Sequence, residues 1–209
     1  MKRSIRIILA AAVIIMGAMN GMALETAAYK VVQKDDKFEI REYAPQILAE
    51  TTVEGDFEEA GNKAFNLLFR YISGGNRSRA NVAMTAPVSQ KRAGEKIKMT
   101  APVGQQRVQE RWLVSFMMPA SYTMETLPEP ADPRVTLRQV PARRIAALRY
   151  SGSWSEKGYL RHKLELESWI RGRGLAIAGD PMWARYNSPI TPWFLRRNEV
   201  LIPLAAGAD

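Results

Sequence analysis

The sequence contains no cysteine, and its 209 residues include a single histidine, His162. The lack of cysteine excludes disulfides, a thiol nucleophile, iron–sulfur ligation, paired-cysteine zinc sites and covalent c-type haem attachment. One histidine excludes any site that needs two imidazoles. The remaining composition is that of an ordinary globular protein, with 46% hydrophobic and 24% charged residues. Whole-chain disorder, a collagen-like structure and a coiled-coil rod are therefore also excluded.

The N-terminal segment has the pattern of a secretory signal peptide. Lys2, Arg3 and Arg6 precede the apolar residues 7–19, and small residues follow up to Ala23. The apolar run is shorter than the roughly 20 residues that a membrane-spanning helix needs. We predict that residues 1–23 are a signal peptide cleaved after Ala23, with the protein periplasmic or secreted. An uncleaved N-terminal anchor, and with it membrane association, is the alternative.

Charge is unevenly distributed along the rest of the chain. Residues 24–133 have a net charge of −1, whereas residues 134–209 have a net charge of +7. A basic half could contact nucleic acid, an anionic membrane surface or an acidic small molecule, or could simply be a soluble surface. An exported protein without a Lys/Arg-rich run or a nucleic-acid motif is not expected to bind nucleic acid.

A strand–strand–helix pattern occurs twice, 97 residues apart. In each copy a Pro-Ala or Ala-Pro break separates two strands, and a capping box opens the helix, at Asp56 in the first copy and at Ser153 in the second. The predicted strands are residues 38–43, 46–53, 82–85, 96–100, 112–118, 135–140, 143–150, 182–186 and 199–204. We predict two β-α-β repeats, at about 29–118 and 135–204, that share one sheet system within a single domain of residues 24–209.

Three motifs are distinctive. The string Met-Thr-Ala-Pro-Val occupies residues 84–88 and recurs at 99–103, residues 69–76 read Phe-Arg-Tyr-Ile-Ser-Gly-Gly-Asn, and the C-terminal motif runs from Tyr186 to Val200. Together they resemble the SOUL, or haem-binding protein, family over about residues 29–204. The resemblance implies an α+β fold in which two pseudo-twofold halves form a distorted antiparallel barrel of eight or nine strands with two long helices. It also implies non-covalent binding of haem or another tetrapyrrole, without an enzymatic activity common to the family.

The first helix carries the main candidate site. Phe65 and Phe69 are four residues apart and lie well off the apolar stripe that faces the core, with Asn62 beside them. They could form the wall of a flat apolar pocket, with Arg70 near an edge to meet a carboxylate. The resemblance points to the same helix as one side of the haem cleft, although the family often has a basic residue where this chain has Asn62. The alternative is that a loop or the N-terminal segment covers the two rings.

Two further features could contribute to a haem site. His162 is the candidate axial iron ligand, or else a core or boundary side chain with a backbone partner. Arg196 and Arg197 could balance propionates at the pocket rim, or else pair with acidic residues. No activated nucleophile is evident. We therefore predict a monomeric, non-enzymatic binder of haem or a related tetrapyrrole. An envelope protein-interaction module and a weak hydrolase of small amphipathic molecules are the alternatives.

Overall fold

The computed structural model describes residues 24–79 and 94–205. The predicted signal peptide, the first Met-Thr-Ala-Pro-Val string and the predicted strand at 82–85 lie outside the described residues. The described part contains two α-helices, α1 (Phe57–Ile72) and α2 (Glu156–Gly172). Its strands are β1 (Glu25–Thr26), β2 (Tyr29–Asp35), β3 (Phe38–Tyr43), β4 (Gln46–Val53), β5 (Asn76–Arg77), β6 (Thr100–Ala101), β7 (Val103–Val108), β8 (Arg111–Met117), β9 (Glu129–Pro130), β10 (Thr136–Val140), β11 (Arg143–Tyr150), β12 (Met182–Arg185) and β13 (Asn198–Pro203).

Nine of these strands form one antiparallel sheet in the order β10-β4-β8-β7-β12-β13-β11-β3-β2. Apart from the edge strand β2, the order is symmetric about the β7–β12 pair, because each half contributes a hairpin and the strand that precedes its helix. The first strand of each half crosses over: β3 pairs with β11, and β10 pairs with β4. This exchange joins the halves into a single sheet. The predicted α+β fold with two long helices and eight or nine strands is confirmed, with nine strands.

The two faces of the sheet differ. Both helices pack on the face that carries Ile40, Leu148, Trp183 and Val200. On the other face, side chains from strands that are not neighbours in the sheet, such as Leu48 of β4 and Ile145 of β11, pack in one cluster. The sheet is therefore curled into a half-barrel, with this second cluster filling its inner face.

The helix starts depend on local capping. The predicted cap of α1 is confirmed, because Asp56 Oδ1 accepts hydrogen bonds from the backbone N–H groups of Glu58 and Glu59 at 3.0 and 2.8 Å. The predicted cap of α2 at Ser153 is wrong. The Oγ atom of Ser155 accepts the N–H of Gly158 instead, at 3.2 Å. Trp154, which precedes this cap, donates from Nε1 to Asn198 Oδ1 of β13 at 3.0 Å.

Candidate ligand-binding site on the first helix

Phe65 and Phe69 form a pair of stacked rings on one side of α1. Their centroids are 5.8 Å apart and their planes are within 10° of parallel. Phe65 is half-buried and meets Phe116 of β8 edge-on at 5.3 Å, whereas Phe69 is 46% exposed. Among the described residues, neither ring is fully covered. The pair is a flat apolar surface that is open on one side.

The two rings continue a row that begins at Gly61. Positions four residues apart lie on one side of a helix, so Gly61, Phe65 and Phe69 form a row about 12 Å long. Asn62 is exposed beside this row. The core side of the helix is made by a separate set of buried residues: Phe57, Ala60, Ala64, Leu68 and Tyr71.

A guanidinium group that sequence reasoning missed lies below the start of this row. Arg185 is half-buried at the end of β12, on the helix-bearing face. Its Nη2 atom lies 3.4 Å from Oε1 of Gln105, a long contact, and its Nε atom is buried with no hydrogen-bond partner in the described part of the chain. A Cβ added to Gly61 would lie 3.5 Å from this Nη2 and only 2.9 Å from Gln105 Oε1. Because Gly61 has no side chain, α1 can lie this close to Gln105 and Arg185.

Aromatic rings, not carboxylates, surround the Arg185 guanidinium. Its Cζ atom lies 4.8 Å from the centroid of the Trp183 ring and 5.3 Å from that of Trp154. Burial alone lowers the pKa of Arg185 to about 10, since no nearby opposite charge offsets the loss of solvation. The group is still a cation at neutral pH. Within residues 24–79 and 94–205 it has no acidic partner.

Arg196 approaches the same indole. Its Cζ atom lies 4.5 Å from the Trp154 ring centroid, and it donates to the backbone carbonyls of Thr191 and Pro189, both at 2.7 Å. The indole is fixed in turn, because Trp154 Nε1 donates to Asn198 Oδ1 at 3.0 Å. We call Gly61, Gln105, Trp154, Arg185 and Arg196 the Arg185 cluster.

The other predicted arginines lie elsewhere. Arg197 donates from Nε and Nη2 to Oε1 of Glu199, at 3.0 and 2.8 Å, which is the acidic pairing of the alternative interpretation. Arg70 is exposed and lines a shallow depression with residues 131–134. It lies about 100° around the helix from Phe69, away from the Gly61–Phe69 row. Neither placement tests ligand binding, so both residues remain predictions.

His162 belongs to the other helix. Its ring stacks on Tyr150 with centroids 3.7 Å apart, and its Nδ1 atom lies 2.7 Å from the carbonyl oxygen of Gly158. Burial is the main cause that lowers the pKa of His162. Tyr150 packs on a cluster that includes Leu166 and Ile170 of α2, whereas Phe65 packs on a different cluster that includes Leu68 of α1. The structure does not bring His162 together with the phenylalanine pair, and its role as an iron ligand remains a prediction.

A separate cavity of about 440 Å³ lies next to β1 and the segment after β8. Its lining includes Met117, Met118 and Met124 and two carboxylates, Glu25 and Glu125, but no lysine or arginine among the described residues. Such a lining suits an apolar or cationic molecule and is a poor match for an acid. The described part of the chain also shows no group of three or more potential metal ligands and no helix long and apolar enough to cross a membrane.

Comparison with known proteins identifies the class of this fold. The family model of the SOUL heme-binding protein matches residues 24–203. The chain therefore belongs to the SOUL family. It is similar to heme-binding protein 1 of Xenopus tropicalis, with 28% identity over 177 residues that cover 82% of this chain and 87% of the relative. It is also similar to heme-binding protein 1 of Mus musculus, with 26% identity over 68% of this chain and 70% of the relative.

Solved structures share the fold at low sequence identity. The C-terminal domain of EcmrR has a TM-score of 0.58 at 10% identity and covers 86% of this chain and 99% of its own. A hydrolase from Listeria innocua has a TM-score of 0.54 at 14% identity, covering 83% of this chain and 94% of its own. At these identities the likeness shows the fold alone, because one fold supports many functions.

Proposed function

We propose that this protein binds haem or a related tetrapyrrole non-covalently along the Phe65–Phe69 surface. The observation that carries the proposal is the parallel pair of incompletely covered phenyl rings on a helix whose core side is already fully packed. Membership of the SOUL family supports the ligand class. Both relatives named above are called heme-binding protein 1.

The residues present fit the group. A tetrapyrrole macrocycle needs a flat apolar surface, and its propionates need cations or hydrogen-bond donors. The ring pair supplies the first, and the basic C-terminal half supplies the second. Haem would contribute its iron and its planar macrocycle, and the chain would contribute apolar burial, at about 25 cal/mol per Å² of surface removed from water. Because His162 packs in another cluster, the proposal places the affinity in these contacts rather than in iron ligation.

We propose binding without catalysis, by a monomer in the periplasm or outside the cell. The export part of this proposal depends on the basic and apolar pattern of residues 1–23. The non-catalytic part is supported by the surroundings of His162, whose Nδ1 contacts a backbone carbonyl and whose ring stacks on Tyr150 rather than activating a nucleophile. A periplasmic fraction whose protein begins at Leu24 on N-terminal sequencing would support the predicted cleavage after Ala23. Full-length protein in the membrane fraction would contradict it.

The test is a titration of the purified protein with haemin, followed by the Soret band. We expect a shift that saturates at one equivalent. The double variant Phe65→Ala/Phe69→Ala should bind at least about tenfold more weakly, a loss of about 1.4 kcal/mol, because the apolar surface is gone. The matched control is Leu164→Ala, which removes an apolar side chain that is 60% exposed on α2. If the double variant and the control bind haemin equally well, the ring pair is not the site.

A further inference from the structure

The Arg185 guanidinium is a desolvated cation without a counter-ion in the described residues. Removing a charge from water is costly unless an opposite charge compensates it. Here the partners are one distant amide oxygen and two indole rings. Arg41, which is buried on the other face of the sheet, instead has a carboxylate oxygen of Glu199 2.7 Å from its Nη1 atom. An anion that is not part of the described chain would complete the Arg185 cluster.

The surroundings of Arg185 are built to hold the group in place. Gln105 is fully buried, and its Nε2 atom donates to the carbonyl oxygen of Phe57 at 2.8 Å. Trp154 is anchored to Asn198, and Arg196 lies against the same indole. A ligand carboxylate at Arg185 would therefore meet a guanidinium that is held in a fixed setting. Arginine suits this role because its planar fork can donate two parallel hydrogen bonds to one carboxylate.

The position of the cluster relates it to the proposed ligand surface. Gly61, a buried member of the Arg185 cluster, lies one helical turn before Phe65 and two before Phe69, in the same row. The Arg185 cluster therefore lies at the N-terminal end of the row that carries the two rings. Arg70 lies away from this end, since it lines a depression with residues 131–134.

We propose that Arg185, supported by Arg196 across Trp154, is the carboxylate anchor of the site. The ligand is then a planar apolar acid that lies along Phe65 and Phe69 with one carboxylate at Arg185. This inference rests on the proposed function for the identity of the ligand. In this proposal Arg185 has the carboxylate-binding role that the sequence analysis predicted for Arg70, which lies on another side of α1.

The experiment compares haemin with haemin dimethyl ester, which keeps the macrocycle and removes the carboxylate charges. Each is titrated into wild type, Arg185→Met and the control Arg111→Met, which removes an exposed guanidinium paired with Glu54, and binding is followed by the Soret band and by tryptophan fluorescence. Arg185→Met should weaken haemin binding about tenfold or more and leave ester binding within about twofold of wild type. Arg185→Lys should restore part of the haemin affinity. Arg111→Met should change the affinity for neither ligand by more than about twofold.

The melting temperature without ligand separates an anchor from a structural residue. Because Arg185 lacks a carboxylate partner, the apo form of Arg185→Met should melt at or above the wild-type temperature. A clear fall in melting temperature, or haemin binding equal to that of wild type, would overturn the anchor and leave the ring-pair site standing. If wild type binds haemin and its dimethyl ester equally well, Arg185 is not a carboxylate anchor, and the ring-pair site still stands.

A second probe keeps the two proposals distinguishable. 2-Naphthoate and the neutral 2-naphthylmethanol are compared by their effect on the melting temperature. If wild type fails to bind haemin, the proposed function is wrong; the anchor then stands for another acid only if naphthoate stabilises wild type more than the alcohol does and this difference is lost in Arg185→Met. If naphthoate has no such effect either, both proposals fail.

Discussion

Two arginines of the same sheet, on opposite faces, have opposite surroundings. Arg41 of β3 is 2% exposed on the inner face, and its guanidinium donates to both carboxylate oxygens of Glu199, at 2.7 and 3.0 Å. The hydroxyl group of Tyr43 accepts a third bond at 3.1 Å. Arg185 of β12, on the helix-bearing face, has only the long contact to Gln105 and its neighbouring rings.

The pKa values of the two groups change in opposite directions. Burial by itself lowers the pKa of Arg41, but the hydrogen bonds and charge of Glu199 outweigh burial and raise it. For Arg185 burial acts without opposition, and the pKa falls. The Arg41–Glu199 pair therefore holds the inner face of the sheet together. The Arg185 guanidinium, in contrast, has a buried Nε–H group without an acceptor in the described part of the chain. The counter-ion, rather than burial, distinguishes the surroundings of Arg41 from those of Arg185.

The largest expected effect is at the paired arginine. Arg41→Met leaves Glu199 as a buried carboxylate with only Arg197 as a cationic partner, so we expect a loss of about 3–5 kcal/mol in the free energy of unfolding. The measurement is urea denaturation at pH 7. The control is Arg111→Met, whose partner Glu54 is 74% exposed, and which should cost less than about 1 kcal/mol. Similar losses in the two variants would mean that the Arg41–Glu199 pair contributes no more than a surface pair.

The pH dependence sharpens the comparison. Burial raises the pKa of Glu199, but the hydrogen bonds and charge of Arg41, with the charge of Arg197, bring it below its usual value. Wild type therefore has the full contribution of Glu199 above the unfolded pKa of about 4.3, and loses it as the pH falls through the lower folded pKa.

In Arg41→Met the direction should reverse. Without the Arg41 cation, burial keeps the Glu199 pKa above its unfolded value, so protonation stabilises the variant as the pH falls from 7 toward 4.5. The stability deficit of Arg41→Met relative to wild type should therefore shrink by about 1 kcal/mol over this range. Urea denaturation of both proteins at several pH values measures it. A deficit that stays constant would show that Arg197 and Tyr186 satisfy Glu199 without Arg41.

Much of the fold could be predicted from local pattern. The bounds of β3, β4 and β11 match their predictions, because a proline or glycine break lies next to each strand. The predicted alternation of buried and exposed side chains is not observed in β4 and β11, where four consecutive residues are buried. The strand β7 was missed because its centre reads Gly-Gln-Gln, which has no apolar alternation. Gln105 is buried there for a non-local reason, since it donates to a carbonyl at the start of α1.

The candidate site, like the fold, could be predicted from the sequence only in part. The position of Phe65 and Phe69 off the core follows from helix geometry alone. Arg185 could not be placed in the same way, because the pairing of β7 with β12 brings it to a glutamine 80 residues earlier in the chain. The available indication was Gly61, since a glycine inside a helix costs about 1 kcal/mol relative to alanine and needs a reason in packing.

The smallest expected effect tests whether close packing against Gln105 requires glycine at position 61. Gly61→Ala should gain about 1 kcal/mol of helix propensity and lose about 2 kcal/mol to crowding against Gln105, which is fully buried, for a net loss of about 1 kcal/mol in the free energy of unfolding. Gly172→Ala in α2 is the matched control: its added Cβ meets nothing within 4 Å, so this variant should be neutral or more stable. Urea denaturation measures both. If Gly61→Ala is as well tolerated as Gly172→Ala, α1 has room to shift, and the Arg185 cluster is not the rigid setting that distinguishes it from an ordinary half-buried arginine.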